Sequence, residues 1–372
     1  MTHIPLFDCR LGGGAIAALS ATLSSGKIAS GPLGVELETR LSKMFGDREV
    51  VAISDSTHAL SLALILAGVR AGDEVLTLAF NCLSSTSSIV NVGAIPVWVD
   101  IDVESATASL PDIEAALTDR TRAVVVYHMA GYPAPLVELK NLCDRYRVPL
   151  IEDANNSFGA TVNGKLVGTF GDFSIFSFYA NRQINAIDGA ALICPNAATA
   201  IAARRLRRFG IDLSRFRDRM GEIDPKCDVP VIGISAALSD AHAALALSSL
   251  DDFEQRLSRT RKNVAALMDG TSSIGMIRPV VWSPGNVPAF WVWLIRSPCR
   301  DQIMVALKES GVGCSKIHQP NDLYSGFGAI KRRLDGTRRF ATEVLGLPCG
   351  WWLCEAEIEP FQVFLGQCHM QK

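Results

Sequence analysis

The chain has 372 residues, enough for a large buried core and two domains. Apolar residues make up 48% and charged residues 20%, and the formal net charge of −2 gives no electrostatic case for nucleic acid or an anionic membrane. No apolar run reaches the length of a membrane span, residues 1–10 carry no signal-peptide core, and ten cysteines without CxxC spacing read as reduced cytoplasmic thiols rather than a metal centre.

In chain order, Gly12-Gly13-Gly14 lacks the spacing and preceding strand of a dinucleotide fingerprint and reads as a loop. Residues 35–45 have apolar positions at helical spacing and stop at Gly46. A strand is expected at 50–54, running into a long apolar helix that opens at Ser56-Thr57-His58 and ends near Gly68. Free amides in such a first turn, beside two hydroxyls, favour a phosphate; the same hydroxyls also suit a helix cap. Asp55 is an unfavourable neighbour for that anion. Further on Gly72-Asp73-Glu74-Val75 leads into a strand, followed by a helix near 111–117, a strand at 123–127, the run His128-Met129-Ala130-Gly131-Tyr132-Pro133 and a helix at 136–146. This βα alternation predicts a mostly parallel sheet with helices on both faces.

The stretch 148–194 holds three short apolar runs separated by turns. The first ends in Glu152-Asp153, the second covers 173–179 and the third runs to Cys194. A basic helix is expected at 197–209, its arginines forming a solvated face, and one or two long helices at 241–268. From about residue 272 a smaller α+β region follows, with strands near 276–281 and 290–295 and helices at 300–309, 338–345 and 356–364. The expected domains are 1–270, with an N-terminal arm at 1–33, and 271–372.

Glu152-Asp153, Gly159-Ala160, Lys165, Gly168, Gly171-Asp172 and Phe176-Ser177-Phe178-Tyr179-Ala180-Asn181 together resemble the central motifs of the DegT/StrS-type sugar aminotransferases. That resemblance implies an α/β fold of the aminotransferase type (fold type I): a large domain with a mostly parallel sheet, a smaller α+β C-terminal domain, and a homodimer with its pocket at the interface. The family's chemistry uses pyridoxal phosphate (PLP) to make amino sugars and related natural products. Carried over, Asp153 would face the pyridine nitrogen, Asn156 the ring, and Ser56, Thr57 and Ser177 the phosphate. Lys27 and His318 fall in elements that resemble substrate-facing turns.

Where the family has its imine-forming lysine, this chain has Arg182. Arginine, with a pKa above about 12, has no neutral nucleophilic form at pH 7 and shuttles protons poorly. Cys82 replaces an aromatic that stacks on the ring, Ser235 and Ala237 replace an Asn and an Arg, and 185–190 departs from T-x-G-E-G-G. Three readings stay open: an enzyme of amino-sugar or natural-product biosynthesis without standard transamination, holding no cofactor or a non-covalent PLP or PMP; an aminotransferase for a nucleotide-linked keto sugar whose lysine was substituted; and a non-catalytic subunit of an active homologue. Arg182, Asp153, His128, Cys82 and His58 are the candidate catalytic groups for a small-molecule substrate, and Arg182 is expected within salt-bridge reach of Asp153, directly or through one water, where no PLP is bound.

Overall fold

Seven short runs rich in Val, Ile, Leu and Ala form the central sheet: β1 Glu49–Ile53, β2 Glu74–Leu78, β3 Ile95–Val99, β4 Thr121–Tyr127, β5 Leu150–Asp153, β6 Phe173–Ser177 and β7 Ala190–Cys194. The computed structural model describes residues 3–272, 274–328 and 331–367. The strand order is β1-β7-β6-β5-β4-β2-β3. Neighbours are parallel except at β7, which runs antiparallel to both β1 and β6. Because helices cover both faces, β2, β5, β6 and β7 are buried at every position rather than at alternate ones. Alternation still decides which side each residue serves: Leu150 joins one core cluster and Ile151 the other.

The helices that set the site are α1 Ala15–Ser25, α2 Pro32–Met44, α3 Ser56–Leu66, α4 Leu83–Asn91, α5 Leu136–Tyr146, α6 Ala197–Leu206 and α7 Asp240–Thr271. The long segment expected as one or two helices is one, and its first residue has a structural task. The buried Asp240 carboxylate accepts the amides of Leu33 and Gly34, both at 3.1 Å, and so caps α2. The triple glycine is a loop before α1, as its lack of fingerprint spacing predicts.

Beyond α7, β8 Arg278–Pro279, β9 Trp293–Arg296 and β10 Val344–Leu347 form an antiparallel sheet in the order β8-β9-β10. It is accompanied by α8 Arg300–Glu309, α9 Asp335–Glu343 and α10 Glu355–Gln367. Four expectations are corrected here. The strand expected over 276–281 pairs only at Arg278–Pro279, where a proline without an N–H interrupts the ladder. The strand expected from 290 starts at Trp293, because Phe290 has φ +51°, outside the extended region. The helix expected to reach 345 stops at Glu343, and Val344 turns extended to pair with Arg296. The basic helix ends at Leu206, and its arginines are not all solvated. Arg204 and Arg207 bond the buried Glu38 at 3.0 and 2.6 Å, and the same carboxylate accepts the Ala52 amide at 2.9 Å.

Candidate active site

Glu152 and Asp153 end β5, and strand alternation sends their carboxylates to opposite sides. Glu152 accepts the amides of Gly168 (2.7 Å), Phe170 (3.0 Å) and Gly171 (2.6 Å) and the Ser174 hydroxyl (3.2 Å). Burial pushes its pKa up, but His128 and the Gly171 and Gly168 amides outweigh burial and hold it below the usual carboxylate range. Asp153 is the opposite case. Among the described residues, its Oδ1 accepts only the Asn155 amide, at 3.3 Å, and its Oδ2 has no hydrogen-bond partner. Burial drives this carboxyl above its ordinary value; the Ser85 hydroxyl, the Asn155 amide, His128 and Arg182 offset that only in part.

Around Asp153 stand other buried polar atoms without partners: Ser85 Oγ, Asn155 Oδ1, Asn156 Oδ1 and Arg182 Nε. Native interiors leave few such atoms, so a cluster at the C-terminal ends of parallel strands marks a place for a polar ligand. Tyr127, level with Asp153 on the neighbouring strand, is fully buried. Its hydroxyl receives Asn156 Nδ2 at 2.5 Å and lies 3.2 Å from His318 Nε2. Burial, reinforced by the Arg182 charge, lowers His318 to about 3, so its imidazole is neutral.

Cys82 is the half-buried N-cap position of α4; its amide meets the Asn81 side chain at 2.6 Å and its Sγ lies 3.1 Å from Ser84 Oγ. At the start of α3, Asp55 caps the helix by accepting the His58 amide at 2.9 Å, and its other oxygen pairs with His58 Nδ1. The acid flagged as a bad neighbour for a phosphate thus has a local partner, while Ser56 and Thr57 remain half-buried in the first turn. Ser177, buried at the end of β6, accepts the Tyr179 amide at 3.2 Å.

Two placements correct the sequence reading. His128 does not face the cleft: it is fully buried, its Nδ1 accepts the Ala134 amide at 3.0 Å, and Nε2 lies 3.3 Å from Glu152 Oε2. Among the described residues, Arg182 makes no direct ion pair with Asp153. Its guanidinium lies 4.9 Å from the Trp291 ring centre and bonds the Asn181 side chain. An aromatic face attracts a desolvated cation at that distance, and Trp291 is itself held by its Nε1 donating to Asn181 O at 2.8 Å and by stacking on Phe7 at 4.5 Å. Lys27 is exposed on the loop between α1 and α2.

Sequence reasoning missed Tyr127, Trp291 and Ser85. Tyr127 carried one usable signal, an aromatic ending a valine run at the C-terminal edge of the sheet. Trp291, in a distant part of the chain, carried none.

A DegT/DnrJ/EryC1/StrS aminotransferase family profile matches residues 11–361, and the chain belongs to that family. Among solved structures it is similar to AtS13 from Actinomadura melliaura (28% identity over 99% of each chain, TM-score 0.93). It is also similar to the sugar aminotransferase CalS13 from Micromonospora echinospora, at 29% identity over 98% of this chain and 99% of that one, TM-score 0.92. The aminotransferase TlmJ from Streptoalloteichus hindustanus matches at 28% identity over 98% of each chain, TM-score 0.91.

The site meets the family's cofactor only halfway. The unpartnered Asp153 Oδ2 suits a protonated ring nitrogen, and the first turn of α3 suits a phosphate. An imine linkage, however, needs a side-chain amine, and the cation acting on Asp153 and Tyr127 is the Arg182 guanidinium.

Proposed function

We propose that this chain is an aminotransferase-family enzyme of amino-sugar or natural-product biosynthesis that does not run imine-based transamination. In this reading Arg182 takes the position of the imine-forming lysine, and any PLP or PMP is held without a covalent bond. The observation that supports it is the guanidinium of Arg182, held 4.9 Å from the Trp291 ring centre and bonded to the Asn181 side chain. Asp153 then serves as a carboxyl, its pKa raised by burial, for proton transfer, and Ser56, Thr57 and Ser177 as donors to an anionic group of the substrate. Incubation with PLP followed by borohydride and peptide mass spectrometry tests it. No pyridoxylated peptide from the cleft is expected, and a pyridoxyl group on a cleft residue overturns the proposal.

The proposed partner is a second copy of this chain. Ile16 (84% exposed), Val35 (65%), Met220 (85%) and Ile232 (81%) are large apolar side chains left in water by one subunit. Sedimentation at micromolar concentration is expected to give a dimer; a monomer removes this part of the proposal.

A further inference from the structure

Four residues that the sequence assigns to the sides of a cofactor ring share one neighbour. Cys82, Asp153 and Arg182 all act electrostatically on Tyr127, and Asn156 donates to its hydroxyl at 2.5 Å. We propose that the Tyr127 phenol is a built-in plug, occupying the base of the cleft where a flat pyridine ring would have to lie, and so decides which ligands the cleft admits. This rests on the reading of the site as one without an imine-linked cofactor.

Three observations carry the inference. Tyr127 is level with Asp153 on adjacent parallel strands, at the edge of the sheet where ligands of such folds bind. Its ring is wholly buried, so it is packed among these residues rather than swung into solvent. Both sides of its hydroxyl are used. Asn156 donates to it, and the neutral His318, whose Nε2 is 3.2 Å away, accepts its hydrogen bond. The imidazole is itself packed edge-on against Tyr127 (5.7 Å between ring centres) and Phe80 (5.8 Å). A side chain fixed at its tip and along its edge does not yield its place to another six-membered ring. The amide of Asn156, assigned to face a cofactor, is spent on the phenol instead.

The test uses PMP, which needs no imine, and PLP, which does. Tyr127→Val is expected to bind PMP at least about tenfold more tightly than the unaltered protein in calorimetry, whereas Tyr127→Phe, which keeps the ring, is not. In the covalent arm, the amine introduced by Arg182→Lys condenses with the PLP aldehyde, releasing water, and borohydride delivers hydride to the C=N bond. Arg182→Lys alone is expected to give no pyridoxylated peptide, and Tyr127→Val with Arg182→Lys to give one at position 182. Equal labelling of the single and double variants, or PMP affinity unchanged by Tyr127→Val, overturns the plug and leaves the proposed function standing. Labelling of a cleft residue in the unaltered protein overturns the proposed function instead. Circular dichroism accompanies each variant; should Tyr127→Val fail to fold, Tyr127→Met, unbranched and flexible, takes its place.

Discussion

Arg182 and Trp291 are partners: the guanidinium lies 4.9 Å from the indole ring centre, and the cation that charge-balance reasoning assigns to Asp153 is used there instead. A double-mutant cycle between Arg182 and Trp291, using alanine at each, is expected to show coupling of about 1–2 kcal/mol in urea unfolding. The matching cycle between Arg182 and Asp153 is expected to show much less. A larger coupling in the second cycle would restore the ion pair.

Adjacent residues of β5 are expected to respond to pH with opposite sign. Glu152 is held below its ordinary value of 4.5, so its contribution is present above that pH and is lost as pH falls through the lower folded value. Asp153 is held above its ordinary 3.8, so ionising it in the fold removes stability as pH rises through the folded value. Glu152→Gln is expected to cost about 3 kcal/mol at pH 7. Asp153→Asn is expected to be neutral or stabilising at pH 7, and less favourable in acid. Urea titrations of both variants at several pH values check the pair.

His318 adds a third dependence. Its ordinary value is 6.5 and burial lowers it to about 3, so between these limits the unfolded chain binds a proton that the folded chain refuses. Stability therefore falls as pH drops below 6.5. His318→Gln keeps an acceptor for Tyr127 and removes the titration; it is expected to lose less stability than the unaltered protein between pH 7 and 5. Identical losses would place the His318 titration elsewhere.

The Glu38 cluster gives a stability prediction remote from the cleft. With Arg204, Arg207 and the Ala52 amide converging on one carboxylate, Glu38→Ala is expected to cost about 2–4 kcal/mol, read from the denaturation midpoint at constant m. A change under about half a kcal/mol would mean the two arginines find water as readily.

Much of the sheet was legible because β2, β5, β6 and β7 are continuous apolar runs bounded by turns. What was not legible depends on chain segments far apart. Trp291 meets Arg182 only after Phe7, Asn181 and the C-terminal part of the chain pack together. His128, read as a cleft residue by its motif, belongs to the other side of β5 because its Nδ1 is bound by the Ala134 amide. Arg204 and Arg207 look like any charged helical run until α2 places Glu38 against them. Tyr127 ends its strand as an ordinary aromatic; only the positions of Asn156 and His318 reveal its hydroxyl as a junction.

The back-to-back carboxylates of β5 have an evolutionary consequence. Asp153 is aimed by the strand, and the strand is tied down by Glu152 gripping the 168–171 turn and Ser174 from the far side of the sheet. None of those ties passes through Arg182, Cys82 or Tyr127. Those three side chains can therefore be exchanged while the aim of Asp153 is inherited unaltered, and the cleft can be rebuilt without first rebuilding the scaffold.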